Sequence, residues 1–156
     1  MSGKRKVLVA VDGSKNSDYA LKWYLEKASQ PEDELIGYHV WQQKHLPTFS
    51  LKAPFQLPAE EWKKIMEETM KEVEKVENDF TTKCGSVKHR KFESESSNNP
   101  GQAIVDYAAS KNVDFIIMGT RGLSPLRRTV LGSVSDYVLH HTHIPVAVVP
   151  VKEEST

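Results

Sequence analysis

The 156-residue sequence predicts a single α/β domain of the Rossmann-like class: an open five-stranded parallel sheet with helices on both faces. Three observations predict it. Val7-Leu8-Val9-Ala10-Val11 and Val113-Asp114-Phe115-Ile116-Ile117-Met118 are short, nearly continuous apolar runs, as in strands buried on both faces. Segments of helical spacing alternate with such runs along the chain, the order that joins parallel strands through crossover helices. Glycine gathers where the runs end and not inside the helices, so backbone freedom is concentrated in turns. A chain of this length buries roughly 68–70% of its unfolded surface, enough for one core.

The first run closes on Asp12-Gly13-Ser14, a turn signal. Ala20, Leu21, Tyr24, Leu25 and Ala28 then recur at helical spacing, with Ser14, Ser17 or Asp18 as N-cap candidates and Gln30-Pro31 as the stop. Leu35 to Trp41 is the second strand. From Gln42 to Leu57, two prolines and no clear period predict a long loop: a lid, a partner surface or partly disordered chain. Pro58 falls in the first turn of a long helix whose inward stripe is Trp62, Ile65, Met66, Thr69, Met70, Val73, Val76 and Phe80. Ser86 to Glu93 sets Val87, His89 and Phe92 among Lys88, Arg90 and Lys91, a pattern suited to a sheet edge. Asn99-Pro100-Gly101-Gln102 offers an N-cap, a proline at the first helical position and a glutamine that caps in return, with Asn112 as C-cap. Val113 to Met118 is the fourth strand, Ser133-Val134-Ser135-Asp136 opens the last helix, and Pro145 to Val151 is the last strand. One domain thus occupies residues 1–156, ordered over 6–151, with a frayed tail at 152–156.

Composition narrows the function. With 21 basic and 21 acidic residues the formal charge is zero, which argues against a nucleic-acid footprint or a membrane-surface anchor. The single cysteine, Cys84, cannot form an internal disulfide and reads as a passive thiol in a reducing compartment: cytoplasm, or cytoplasm and nucleus. After the opening MSGKRK, the five-residue apolar run is far short of a signal-peptide core or of the ~20 residues of a membrane span.

In an open α/β sheet, ligands sit beyond the carboxyl ends of the strands, where strand order reverses. At such ends this sequence places Asp12, Val40-Trp41, Gly119-Thr120-Arg121-Gly122 and Gly132-Ser133. Glycines there permit positive φ and let backbone N–H groups come close to a ligand, and a helix N-terminus adds unpaired N–H groups that favour a phosphate. Arg121, Arg127 and Arg128 either add positive charge or are simply solvated. A P-loop would need Gly-x-x-x-x-Gly-Lys-Ser/Thr and a dinucleotide fold Gly-x-Gly-x-x-Gly; neither occurs. No histidine is spaced to activate a serine. His140, His141 and His143 diverge on a helix without a partner ligand, so no catalytic or metal-binding residue is assigned.

The spacing Gly-x-x-Gly, nine residues, Gly-Ser, present as Gly119, Gly122, Gly132 and Ser133, resembles the ATP-binding signature of the universal stress protein family, whose fold is adenine nucleotide alpha hydrolase-like. The opening VLVAVDGS, the Asn-Pro-Gly before a helix and Val113 to Gly119 are similar to other landmarks of that family, and together they span Lys6 to Val151. The resemblance implies ATP as ligand, with or without Mg2+. It implies that Asp12 contacts the ribose or adenine and that backbone groups of Ala10, Val11 and Val40 read the adenine edge. Met118, Gly119, Arg121 and Gly122 would line the α- and β-phosphates, and Gly132, Ser133, Val134 and Ser135 the far phosphates. The implied role is a nucleotide-dependent switch or stress-response factor with at most slow ATP hydrolysis. A homodimer through Pro145–Val151 is expected both from the resemblance and from an edge too apolar to stay uncovered. Two other readings stand beside it: an ATP-cleaving or adenylating enzyme of similar fold, and a nucleotide-free protein interaction module.

Overall fold

The computed structural model describes residues 3–42, 59–120 and 132–151. Strands β1 (Lys6–Ala10), β2 (Glu34–Trp41), β3 (Arg90–Ser96), β4 (Phe115–Gly119) and β5 (Val146–Val149) form one sheet in the order β3-β2-β1-β4-β5, every neighbouring pair parallel. Helices α1 (Lys15–Trp23), α2 (Ala59–Cys84), α3 (Pro100–Ser110) and α4 (Ser133–His141) join them. The chain walks outward from β1 to β2 and β3, then returns to lay β4 on the other side of β1. The order therefore reverses between β1 and β4.

The continuous apolar runs are explained by two cores. Val7 and Val9 of β1, Leu35 of β2 and Ile117 of β4 face α1 and α2, where Ala20, Leu21, Tyr24, Phe80 and Cys84 meet them. Leu8, Ile36, Tyr38, Ile116 and Met118 point the other way, onto Ile104 and Ala108 of α3 and Val138 of α4. Alternate residues thus serve opposite layers, so neither side of a central strand can be polar. Burial pushes the Cys84 thiol up to about 11, in keeping with an inert side chain.

Three local features depart from the sequence reading. The inward stripe of α2 holds for Thr69 and Phe80, which are buried, and partly for Ile65, Val73 and Val76; Trp62, Met66 and Met70 are 45%, 41% and 44% exposed. At 1.5 Å per residue a 26-residue helix is about 39 Å long. Strands of four to eight residues are shorter, so the first turns of α2 overrun the sheet. The Asn99 side chain accepts from the Gln102 N–H at 3.2 Å, but Gln102 turns its own amide to Asp106 at 2.6 Å and to the Tyr137 hydroxyl instead of capping back. Helix α3 ends at Ser110 with Lys111 as its C-cap, and Asn112 takes the left-handed turn just beyond, at φ 54°. β3 is an edge strand, as its charges predict, and β5 is the other edge.

At the end where the strands begin, a polar cluster closes the sheet. Arg5 donates from Nε and Nη2 to the two oxygens of Asp33 at 2.8 and 2.6 Å, and from Nη2 to the Ala28 carbonyl at 2.8 Å. The Tyr24 hydroxyl and the Gln30 N–H add bonds to Asp33 of 2.7 and 2.9 Å. Helix α1 reaches this cluster through a π-helical turn over Tyr24–Ala28, closed by the Ser29 N–H on the Tyr24 carbonyl at 2.8 Å. Burial alone would push the Asp33 carboxyl up, but the Arg5, Tyr24 and Gln30 bonds outweigh it and hold the group below its ordinary value.

Candidate functional site

At the opposite end, above the reversal between β1 and β4, lies a cavity of about 360 Å³. Its wall includes Ala10, Val11 and Asp12 from β1 and its turn, Val40 from β2, Met118 and Gly119 from β4, and Gly132, Val134 and Ser135 from the start of α4. Nine of the twelve residues expected at a nucleotide thus share one cavity wall. Ser133 stands exposed at the first position of α4 and is not part of that wall. Arg121 and Gly122, with Arg127 and Arg128, lie outside the described residues, as do 43–57 of the long loop, Pro58 and the 152–156 tail.

Three helix N-termini converge here, those of α1 through Ser14, Asn16 and Ser17, of α3 through Pro100, and of α4. Their first N–H groups are used differently. On α1 the Ser14 side chain accepts from the Ser17 N–H at 3.2 Å, and on α3 Asn99 does the same for Gln102. The cap of α4 is Gly132, which has no side chain to offer, while Ser135 donates its hydroxyl to the Gly132 carbonyl at 3.0 Å. α4 therefore presents its dipole and its first N–H groups to the cavity without a side-chain cap.

The turn after β1 is held from within. The Asp12 carboxylate accepts from the Ser14 N–H at 2.9 Å, and Gly13 between them sits at φ 79°, a conformation that glycine adopts without strain.

Gly119 owes its identity to a different cause from the one its spacing suggests. It is not among the positive-φ glycines; a Cβ at Gly119 would lie 2.4 Å from the Asn16 carbonyl oxygen, so the missing side chain lets the first turn of α1 pass over the end of β4. Gly132 likewise has an ordinary backbone, φ −60° and ψ 151°. At neither glycine does the positive-φ argument apply, and at Gly119 it is replaced by close approach.

Trp41, expected beside Val40 at the end of β2, joins the wall, but sequence reasoning missed Ser14, Asn16, Ser17 and Tyr38, then His39 and Gln42, then Thr69, Glu72 and Val73, and finally Pro100 and Ile104. For α2 no local signal exists, since only the tertiary crossing of α2 over β2 brings Thr69 and Glu72 to the cavity. A signal did exist for His39, a lone histidine inside an apolar run. Elsewhere, His140 and His141 each place Nδ1 2.8 Å from a carbonyl in their own helix, Asp136 and Tyr137 respectively. Among the described residues no group of three or more His, Cys, Asp or Glu is arranged to hold a metal ion, and no helix is long and apolar enough to cross a membrane.

Comparison with known proteins gives a consistent picture. The model of the universal stress protein family matches residues 4–150. Universal stress protein YxiE of Bacillus subtilis is 31% identical over 144 residues, 92% of this chain and 97% of its own length. Universal stress protein MJ0531 of Methanocaldococcus jannaschii is 30% identical over 151 residues, 96% and 85% respectively. Among solved structures, UspA of Lactobacillus plantarum superposes with a TM-score of 0.70 at 22% identity, over 95% of this chain and 99% of that one. A family member from Arabidopsis thaliana with AMP bound gives 0.67 at 19% identity, over 95% and 92%. A universal stress protein in complex with cAMP gives 0.56 at 19% identity, over 96% and 98%.

Proposed function

Because this chain belongs to the universal stress protein family, we propose that it binds an adenine nucleotide, ATP in particular, and acts as a nucleotide-dependent switch in a stress response. One observation carries the reading: a helix N-terminus without a side-chain cap, that of α4, opens into a cavity at the reversal of strand order. Two structural neighbours of the same fold hold AMP and cAMP, which fits an adenine ligand there. In this reading Asp12 meets the ribose or adenine, backbone groups of Ala10, Val11 and Val40 read the base, and Met118, Gly119, Arg121 and Gly122 line the inner phosphates. Gly132, Ser133, Val134 and Ser135 receive the outer ones. Magnesium, where it accompanies ATP, is held mainly by phosphate oxygens and water, as that ion favours.

The same reading makes ATP a ligand more than a substrate, cleaved slowly if at all, in a single domain that works in the cytoplasm. The exposed side of β5 supports a homodimer, since this edge strand carries Val146, Ala147 and Val148, all partly open. Light scattering at micromolar concentration should give twice the monomer mass.

Titration calorimetry tests the site. Wild-type protein should bind ATP, and Gly132→Val should weaken it by roughly two to four orders of magnitude, the loss of about two charge-assisted hydrogen bonds. Valine adopts the Gly132 backbone without strain, so circular dichroism should show the fold retained. Wild-type affinity in the variant would move the phosphates elsewhere, and no ATP or AMP binding by wild type would leave the interaction-module reading in place. Steady turnover near the ~10 s⁻¹ typical of enzymes would contradict the switch.

A further inference from the structure

Two buried polar side chains beside the cavity, His39 and Ser17, are 8% and 6% exposed and converge on a single peptide group. β1 ends at Ala10, and the last rung to β2 is the Val11 N–H on the Tyr38 carbonyl at 2.9 Å. The Val11 carbonyl lies one step past that rung. It is met by His39 Nδ1 at 2.8 Å. The other end of the same peptide unit, the Asp12 N–H, donates to Ser17 Oγ at 3.3 Å, and Ser17 Oγ in turn donates to the Ser14 carbonyl at 3.1 Å. A carbonyl only accepts, so Nδ1 carries the proton and a neutral His39 keeps its lone pair on Nε2. The ring is stacked on Phe92, centroid to centroid 6.4 Å, which fixes its direction. An apolar ring would pack on Phe92 as well. The imidazole adds a hold on the peptide from which Asp12 departs.

We propose that His39 and Ser17 are positioning residues for nucleotide binding. They clamp the Val11–Asp12 peptide from its two ends, and so set the direction in which the Asp12 carboxylate meets the sugar of the ligand. This rests on the nucleotide reading above. The clamp acts through Asp12, so its loss should be felt only where Asp12 is present to be misdirected.

The test is a mutant cycle read by calorimetry with AMP, with thermal melts to follow folding. Wild type is titrated first; failure to bind AMP or ATP would overturn the nucleotide reading and this inference with it. Given binding, His39→Leu should weaken AMP about tenfold or more, as expected for residues coupled through one group. His39→Asn, whose amide nitrogen falls near the position of Nδ1, should recover affinity to within about threefold. In an Asp12→Ala background, His39→Leu should cost less than about threefold further. Wild-type affinity in His39→Leu, no rescue by asparagine, or equal losses with and without Asp12 would overturn the clamp alone. Should His39→Leu fail to melt cooperatively, Ser17→Ala with and without Asp12→Ala runs the same cycle, with non-additive losses expected and additive ones overturning the inference.

Discussion

Where the strands begin, polar groups satisfy one another: Asp33 receives four hydrogen bonds, two from Arg5 and one each from Tyr24 and Gln30, and is 4% exposed. Where the strands finish, three helix N-termini point into a cavity and one of them ends on a glycine with no cap to give. Every strand is parallel, so the ends of the sheet are chemically different. At the finishing end, turns lead into helices and N–H groups face the gap; at the starting end, helices have run out and carbonyls such as Ala28 wait for a donor, which Arg5 supplies. One end is closed by paired polar groups, and the other is left open as a cavity.

Breaking the closed end should give the largest effect on stability. Asp33→Asn removes the charge that Arg5 faces and should cost about 2–4 kcal/mol, less than the 3–5 of a fully buried pair because Arg5 retains 29% of its side-chain exposure. Denaturant unfolding measures it, and nucleotide affinity of the folded variant should be unchanged, since the cluster lies at the far end of the sheet. The same group sets an acid limit. Its folded value lies below the ordinary one, so its contribution is complete above the unfolded value, near 4, and is lost as pH falls through the folded value. The melting temperature of wild type should drop below about pH 4 more steeply than that of Asp33→Asn.

Gly119→Ala attacks the open end, where β4 finishes, and should cost less, about 1–3 kcal/mol, because a Cβ 2.4 Å from the Asn16 carbonyl forces the first turn of α1 away from β4. That turn also lines the cavity, so here affinity should fall together with stability. A stability loss with unchanged affinity would separate Gly119 from the open end.

Tyr107→Phe should have the smallest effect and the opposite sign. The Tyr107 ring stacks on Tyr38 with centroids 4.2 Å apart, and its hydroxyl is buried without a hydrogen-bond partner among the described residues. Burial, with Glu93, Glu34 and Glu95 nearby, pushes this phenol up to about 12. Removing the oxygen keeps the stacking and discards an unsatisfied polar atom, so stability should stay level or rise by up to about 1 kcal/mol. A clear loss in chemical denaturation would reveal a partner for that hydroxyl.

What the sequence alone determined is what repeats locally. Buried strands announced themselves because both faces of Val7–Val11 and Phe115–Met118 must be apolar, and charge along Arg90–Ser96 announced an edge because an open ladder must resist strand addition. The turn at Asp12 was legible for the same reason, as short-range chemistry written in consecutive residues; that α4 is capped by Gly132 and by no side chain was not, since Ser133 offers a hydroxyl at the same point. Tertiary structure decided everything that depends on distance in the chain. Gly119 needs no side chain because Asn16, more than a hundred positions earlier, crosses above it. Trp62 and Met66 keep a core-facing period yet stay exposed because the sheet stops before α2 does. His39 shares one peptide with Ser17 only because β2 lies beside β1 and α1 folds back over β1. A sequence records which groups each residue can offer; the crossing of elements chooses which of them meet.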